Sequence, residues 1–126
     1  MESLGQHGMK ITSVSSIFKT YAGLRIQPGW RVMAELEAIV LKSLKREPPG
    51  NILDLLQSYT YLGLAVKTEI LTAVEEQILR RRSEFNHRHI PGILWSFQKL
   101  GVKPGPQLMD CLEHQVRLRI RILIYS

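Results

Sequence analysis

Cysteine and long apolar runs are scarce in this chain, and both absences limit what the protein is. Cys111 is the single cysteine among 126 residues, so the chain cannot form an internal disulfide, and nothing indicates an oxidising compartment. No apolar run approaches the roughly 20 residues that a membrane-spanning helix needs. The sequence therefore predicts neither a membrane span nor a disulfide-stabilised scaffold.

Common catalytic and cofactor-binding motifs are also missing. There is no GxxxxGK[ST] loop, no GxGxxG turn after a strand and no GxSxG motif. His87, His89, His114 and Cys111 do not follow a spacing typical of metal ligands. We expect no enzyme activity, no cofactor and no metal. The first eight residues show no clear targeting peptide, because they lack an apolar core and an Arg-rich amphipathic stretch.

The composition predicts one folded domain, residues 1–126, with a basic surface. Charged residues make up 22% and hydrophobic residues 44%, which is ordinary for a globular protein. The net charge is +6 and the sequence pI is about 9.8. A basic excess favours polyanionic partners such as nucleic acid, although many small proteins are basic without binding one.

The sequence repeats with a period of 38 residues, without a gap. About one column in eight would be apolar in all three copies by chance. Ten columns are, and they are Val14/Ile52/Ile90, Ile17/Leu55/Ile93, Phe18/Leu56/Leu94, Tyr21/Tyr59/Phe97, Leu24/Leu62/Leu100, Ile26/Leu64/Val102, Val32/Ile70/Leu108, Met33/Leu71/Met109, Leu36/Val74/Leu112 and Val40/Ile78/Val116.

Each unit reads as two helices joined by a tight turn. The apolar positions in each half lie three or four residues apart, which marks one face of a helix. Gly63 and Gly101 suit a left-handed helix C-cap, and Pro28 and Pro104 suit the first turn of the next helix. The spacing predicts helices at about 12–24, 28–45, 50–62, 66–83, 88–100 and 104–122.

One such unit cannot bury both apolar faces, whereas stacked units can. The predicted fold is therefore all-α, a short α-solenoid of three 38-residue helix–turn–helix repeats at about 10–47, 48–85 and 86–123. An acidic column, Glu37, Glu75 and Glu113, is interpreted as pairing between units. The apolar C-terminus, residues 121–126, is either covered by a partner protein or folded back on the last helix.

Basic residues concentrate in the last turn of the second helix of each unit. Nine of the 17 Lys and Arg residues fall in 18 equivalent positions, namely Lys42, Lys45, Arg46, Arg80, Arg81, Arg82, Arg117, Arg119 and Arg121. The helix dipole favours cations there, but it does not account for three per helix. Stacking would merge the clusters into one basic edge that could track a phosphate backbone. In the third cluster the arginines alternate with apolar residues and cannot share one helical face.

A second candidate surface is the non-core face of the first helix of each unit. Its columns include Thr20/Ser58/Ser96 and side chains of the types that stack on unpaired bases or bond to them. Any solvated helix face has similar residues. The possible base contacts are Lys19, Gln57, Tyr61, Trp95 and Lys99.

The third unit resembles a known group of organellar RNA-binding repeats. The segment Ile93–Pro104, ILWSFQKLGVKP, and the segment Tyr59–Leu64, YTYLGL, resemble the first-helix segment of octotricopeptide repeats and of the related FAST-kinase-domain-like and heptatricopeptide repeats. That segment ends in a leucine–glycine turn, and the first unit departs from it at Arg25. The resemblance covers nearly the whole chain from about residue 10.

The resemblance implies a mitochondrial or other organellar RNA-binding protein. Such families usually carry many repeats and often a RAP domain, whereas this chain shows three repeats. We therefore expect a structural component of an organellar ribonucleoprotein, most plausibly a mitochondrial ribosome subunit that contacts rRNA through the basic edge, with neighbouring proteins over the ends of the solenoid. The alternative is a protein–protein scaffold without RNA contact.

Overall fold

The computed structural model describes residues 9–86 and 88–125, and within these ranges the chain is all-helical, as the sequence predicts. A short 3-10 turn, Leu44–Arg46, follows the second helix. The six α-helices are α1 (Ile11–Leu24), α2 (Trp30–Ser43), α3 (Pro49–Leu62), α4 (Thr68–Arg80), α5 (Ile90–Leu100) and α6 (Pro106–Tyr125).

The helix boundaries differ from the predicted ones mainly in the second helix of each unit. These helices begin two residues later than predicted, because Gly29 and Lys67 are extended N-cap residues. Helix α4 ends at Arg80 rather than near 83, and turns follow it. Helix α6 runs on to Tyr125.

The helices form three consecutive pairs, α1 with α2, α3 with α4 and α5 with α6. The first helix of each pair is followed by a residue in the left-handed conformation, at the same position of the 38-residue period. These residues are Arg25, Gly63 and Gly101, with φ angles of 58°, 74° and 68°. Gly63 and Gly101 confirm the predicted glycine C-caps. Arg25 adopts the same geometry with a Cβ, which is strained for an L-residue.

Replacing Arg25 by glycine is expected to raise the free energy of unfolding by about 0.5–1 kcal/mol. Relief of the left-handed conformation gains about 1–2 kcal/mol, and the extra freedom of an unfolded glycine offsets about half of it. Gly63→Ala is the converse control, since a Cβ there meets nothing within 4 Å and the φ alone opposes it. Urea unfolding measures both. A destabilised Arg25→Gly variant would mean that the arginine side chain contributes a stabilising contact.

The helices pack in two rows. Helix α3 lies between α1 and α5, and α4 lies between α2 and α6, while α1 also contacts α2. The core between the rows is continuous from Ile11 to Leu112, and its largest fully buried side chains include Phe18, Tyr59, Phe85 and Phe97. The rings of Phe18 and Tyr59 meet edge to face at 4.9 Å and join α1 to α3.

Small side chains line the contacts between the first helices. Ser58 and Ser96 are fully buried, so the prediction that they face solvent is wrong, whereas Thr20 of the same column is exposed as predicted. A Cβ added at Gly92 would lie 2.9 Å from the Leu53 side chain. Small residues at these positions let α3 and α5 approach closely, which a polarity pattern cannot distinguish from exposure.

Two of the three acidic-column residues bond to the following helix pair, as interpreted from the sequence. Buried Glu37 accepts a hydrogen bond from the Tyr59 hydroxyl at 2.6 Å and lies 3.5 Å from the Lys67 ammonium. Glu75 accepts a hydrogen bond from the Gly105 backbone N–H at 3.0 Å. Desolvation, together with the hydrogen bond to Glu37, raises the pKa of Tyr59 far above its usual value.

Residues 121–125 of the C-terminal segment continue α6 and do not fold back on it, while Ser126 lies outside the described residues. Residues 118, 120 and 122–124 remain in α6 with their side chains 41–66% exposed. Of the two readings of this segment, the fold-back one is therefore wrong for these residues.

Candidate nucleic-acid interface

The first basic cluster lies where α2 ends beside the start of α1. Lys42 is in the last turn of α2, and Lys45 and Arg46 are in the 3-10 turn, with all three side chains exposed. Lys42 and Arg46 line a groove of about 850 Å3 together with Lys10, the N-cap residue of α1. Antiparallel packing of α1 and α2 therefore adds Lys10 to this edge.

Lys10 was missed by sequence reasoning, although a signal for it existed. In a helix–turn–helix unit the start of the first helix and the end of the second lie at the same edge. Basic residues just before a first helix, such as Lys10 and exposed Arg88, belong to that edge as much as those after a second helix.

The second cluster combines paired and unpaired cations. Arg80 is bonded to Glu76 at 2.7 Å, an exposed pair one helical turn apart. Arg82 is exposed in the turn after α4 and lines a groove of about 440 Å3 between α4 and α6. The 3-10 turn packs against α4, so the first and second clusters are neighbours.

Arg81 has a structural position rather than an open one. Its side chain is 17% exposed, and its guanidinium donates to the Glu47 carbonyl at 2.7 Å and to the Glu84 carboxylate at 3.1 Å. The hydrogen bond from Arg81 lowers the pKa of Glu84. Because Arg81 joins the end of α4 to the segment before α3, we leave it out of the candidate phosphate-binding surface.

The third cluster lies on the exposed half of α6. Arg117 is 3.4 Å from Glu113 on the same helix, while Arg119 and Arg121 are exposed. Arg117 and Arg121 are one turn apart and share a face, and Arg119 points away from it, as the sequence predicts. Over the whole candidate edge, eight cations have no ion pair to another described residue. They are Lys10, Lys42, Lys45, Arg46, Arg82, Arg88, Arg119 and Arg121.

The five possible base contacts lie on α1, α3 and α5 at two positions of the repeat. Lys19, Gln57 and Trp95 occupy the first position, and Tyr61 and Lys99 occupy the second, four residues later. Lys19 is bound to Asp54 at 2.6 Å, so it ties α1 to α3. Gln57 is half-buried, and Tyr61 is 60% exposed. Trp95 is 38% exposed, with the Lys99 ammonium 6.0 Å from its ring centroid. Tyr61, Trp95 and Lys99 are therefore the members of this set that are open to a ligand.

An exposed tryptophan outside the predicted set, Trp30, lies at the start of α2. Trp30 is 76% exposed at the first position of α2, and the Arg31 guanidinium lies 5.1 Å from its ring centroid. It falls outside every apolar column, which is the signal that could have marked it as a surface residue.

Among residues 9–86 and 88–125, no three His, Cys, Asp or Glu side chains are grouped so that they could hold a metal ion. His87 lies outside the described residues. None of the described helices has the length and apolarity needed to cross a membrane.

Comparison with known proteins found no relative of this chain. No family model, curated protein or solved structure matches this chain. The interpretation of the basic edge therefore rests on the geometry above and on the residues that carry the resemblance.

Proposed function

We propose that the chain is a three-repeat α-solenoid that binds RNA through its basic edge, as a structural component of an organellar ribonucleoprotein. The observation that carries the proposal is a set of exposed cations that have no ion-pair partner among the described residues. They lie at the ends of α2 and α4, in the second half of α6 and before α1 and α5. Unpaired cations along an edge suit a phosphate backbone, because each one releases a condensed counterion on contact.

The repeat architecture is supported by equivalent features at the 38-residue period. The first helices end in left-handed residues at Arg25, Gly63 and Gly101, and Glu37 and Glu75 bond to the following helix pair. Each pair contacts its neighbour through both rows of helices. Such stacking brings equivalent ends to one edge.

The mitochondrial ribosome is the proposed setting, and the resemblance to octotricopeptide and heptatricopeptide repeats supports it. In that setting rRNA contacts the basic edge, Tyr61, Trp95 and Lys99 stack on unpaired bases or bond to them, and neighbouring proteins cover the ends of the solenoid. The role is structural, without catalysis or a cofactor. Sedimentation of the tagged endogenous protein with and without ribonuclease tests this setting, since a ribosomal subunit would co-sediment with rRNA.

A protein scaffold without RNA contact is the second candidate, and one observation favours it. The exposed apolar residues of α6 form a surface that protein partners typically cover, and they include Ile120, Ile122 and Leu123. Both candidates predict a non-enzymatic helical module, and they differ in whether the basic edge contacts phosphates.

The salt dependence of binding to a labelled single-stranded RNA tests the proposal directly. If six of these eight cations contact phosphates, log K should fall against log salt with a slope of about −4, at about −0.7 per contact. Fluorescence anisotropy between about 50 and 200 mM salt measures the slope. Undetectable binding at the lowest salt, or a slope near zero, would contradict the proposal and favour the scaffold.

A further inference from the structure

The first and last helix pairs each have an outer face that no other described helix covers. Some residues on these two faces are equivalent, in the 38-residue period, to residues that are buried between helix pairs inside the molecule. On the outer face of α1 and α2, Leu24 is 63% and Val32 is 38% exposed, whereas their equivalents Leu62 and Ile70 are 4% and 0% exposed. On the outer face of α5 and α6, Val116 is 41% exposed, whereas its equivalent Ile78 is 1% exposed. Positions that are buried at the interfaces of the middle pair are thus exposed at their equivalents on the first and last pairs.

The polar bonds between helix pairs have unmatched counterparts at the two outer faces. Glu113 is equivalent to Glu37 and Glu75, but among the described residues its carboxylate meets only Arg117 of its own helix. The donors bound by Glu37 and Glu75 are the Tyr59 hydroxyl and the Gly105 N–H. Their equivalents on the first pair are the Tyr21 hydroxyl and the Gly29 N–H, and neither of these two groups donates a hydrogen bond to another described residue.

The apolar parts of the two faces match as well. Lys19 of α1 contacts Asp54 of α3. In the 38-residue period Trp95 is equivalent to Lys19, and Ser16 is equivalent to Asp54. The same packing between two molecules would therefore place Trp95 against Ser16 of the second molecule. Ser16, Ile17, Thr20, Tyr21 and Leu24 line an open groove of about 420 Å3 on α1. Trp95 is 38% exposed at the corresponding place on α5. A large aromatic side chain seated in a groove is a typical anchor of a protein interface.

We propose that the chain associates head to tail with a second copy of itself, with the outer face of α5 and α6 of one copy on the outer face of α1 and α2 of the next. Glu113 then accepts from Tyr21 and Gly29 of the second copy, and Trp95 fills the groove on its α1. The contact is heterologous, so it leaves one open face at each end and allows further copies to add. The inference rests on the repeat architecture and leaves the basic edge free to contact RNA, but a Trp95 side chain seated in this contact cannot also stack on a base.

Two variants that each lose one face test the arrangement. The head variant is Leu24→Glu with Val32→Glu, and the tail variant is Trp95→Glu with Val116→Glu. Sedimentation velocity is run on the nuclease-treated 126-residue chain without RNA, over a range of concentrations, and circular dichroism checks that each variant stays helical. Because all four side chains are exposed, we expect both variants to fold.

The unsubstituted chain is expected to increase in mass with concentration beyond a dimer. Each variant alone should remain monomeric, and an equimolar mixture should form a 1:1 dimer, since the intact tail of one binds the intact head of the other. Tyr21→Phe or Glu113→Gln should weaken association about three- to tenfold, the loss of one hydrogen bond. Ile122→Glu, an exposed apolar substitution elsewhere on α6, should leave it unchanged.

Four outcomes would overturn the proposal. The first three are an unsubstituted chain that stays monomeric throughout, variants that each still associate, and a mixture that stays monomeric although both variants are helical. The fourth is loss of association in Ile122→Glu, which would assign the association to the apolar end of α6 instead. None of these results depends on RNA affinity, so this inference and the proposed function fail separately.

Discussion

Replacing Lys42, Lys45 and Arg46 together by glutamine is expected to weaken RNA binding about a hundredfold at about 0.1 M salt. Each lost phosphate contact with a single strand removes about 0.7 log unit of affinity under these conditions, and three remove about two. The three side chains are exposed and lack ion-pair partners among the described residues, so the fold should remain intact. The salt slope should become shallower by about 2, which anisotropy titrations measure.

A triple variant at the opposite edge controls for net charge. Arg25, Arg31 and Lys103 are exposed cations in or beside the turns that join the two helices of a pair. Replacing them by glutamine removes the same total charge, and we expect less than a threefold loss. Equal losses in both triple variants would show that only the overall +6 charge attracts RNA. No loss in either would leave the basic edge as a solvated surface.

The helices were predictable because a fixed period turns weak local signals into repeated ones. Gly63 and Gly101 mark two turns, and the equivalent position identifies Arg25 as the third, although arginine has no preference for a left-handed conformation. The acidic column was similarly informative, since Glu37 and Glu75 recur where one helix pair meets the next. Signals that depend on the period alone were therefore reliable.

Contacts and burial that depend on neighbouring helices could not be predicted from the period. Arg81 and Arg82 are adjacent in sequence, yet Arg81 bonds to the Glu47 carbonyl and Arg82 is exposed. Ser96 has the polar side chain of a typical surface residue, yet it is fully buried in α5. A column shows which face of a helix a residue is on, but only the packed structure shows whether another helix covers that face.

Replacing Tyr59 by phenylalanine is expected to lower the free energy of unfolding by about 1–3 kcal/mol, the cost of leaving a buried carboxylate without its hydrogen-bond donor. Among the residues that the structure describes, Glu37 would then retain only the Lys67 ammonium, 3.5 Å away. Tyr61→Phe on the same helix is the matched control, because Tyr61 is 60% exposed and should change stability by less than about 0.5 kcal/mol. Urea unfolding near neutral pH measures both. Similar small effects in the two variants would mean that the Tyr59–Glu37 bond contributes little net stability.

The pH dependence of the same pair of proteins tests the bond independently. Because the folded-state pKa of Tyr59 is raised, the unfolded chain releases its hydroxyl proton above about pH 10 while the folded chain keeps it. The unfolded state then binds fewer protons, so stability from this group is complete below pH 10 and falls by about 1.4 kcal/mol per pH unit above it. Tyr59→Phe lacks this loss, so its deficit relative to the unsubstituted protein should shrink as the pH rises above 10. A deficit that stays constant up to the highest pH at which both proteins unfold reversibly would show that Tyr59 titrates normally in the folded state, contrary to its burial against Glu37.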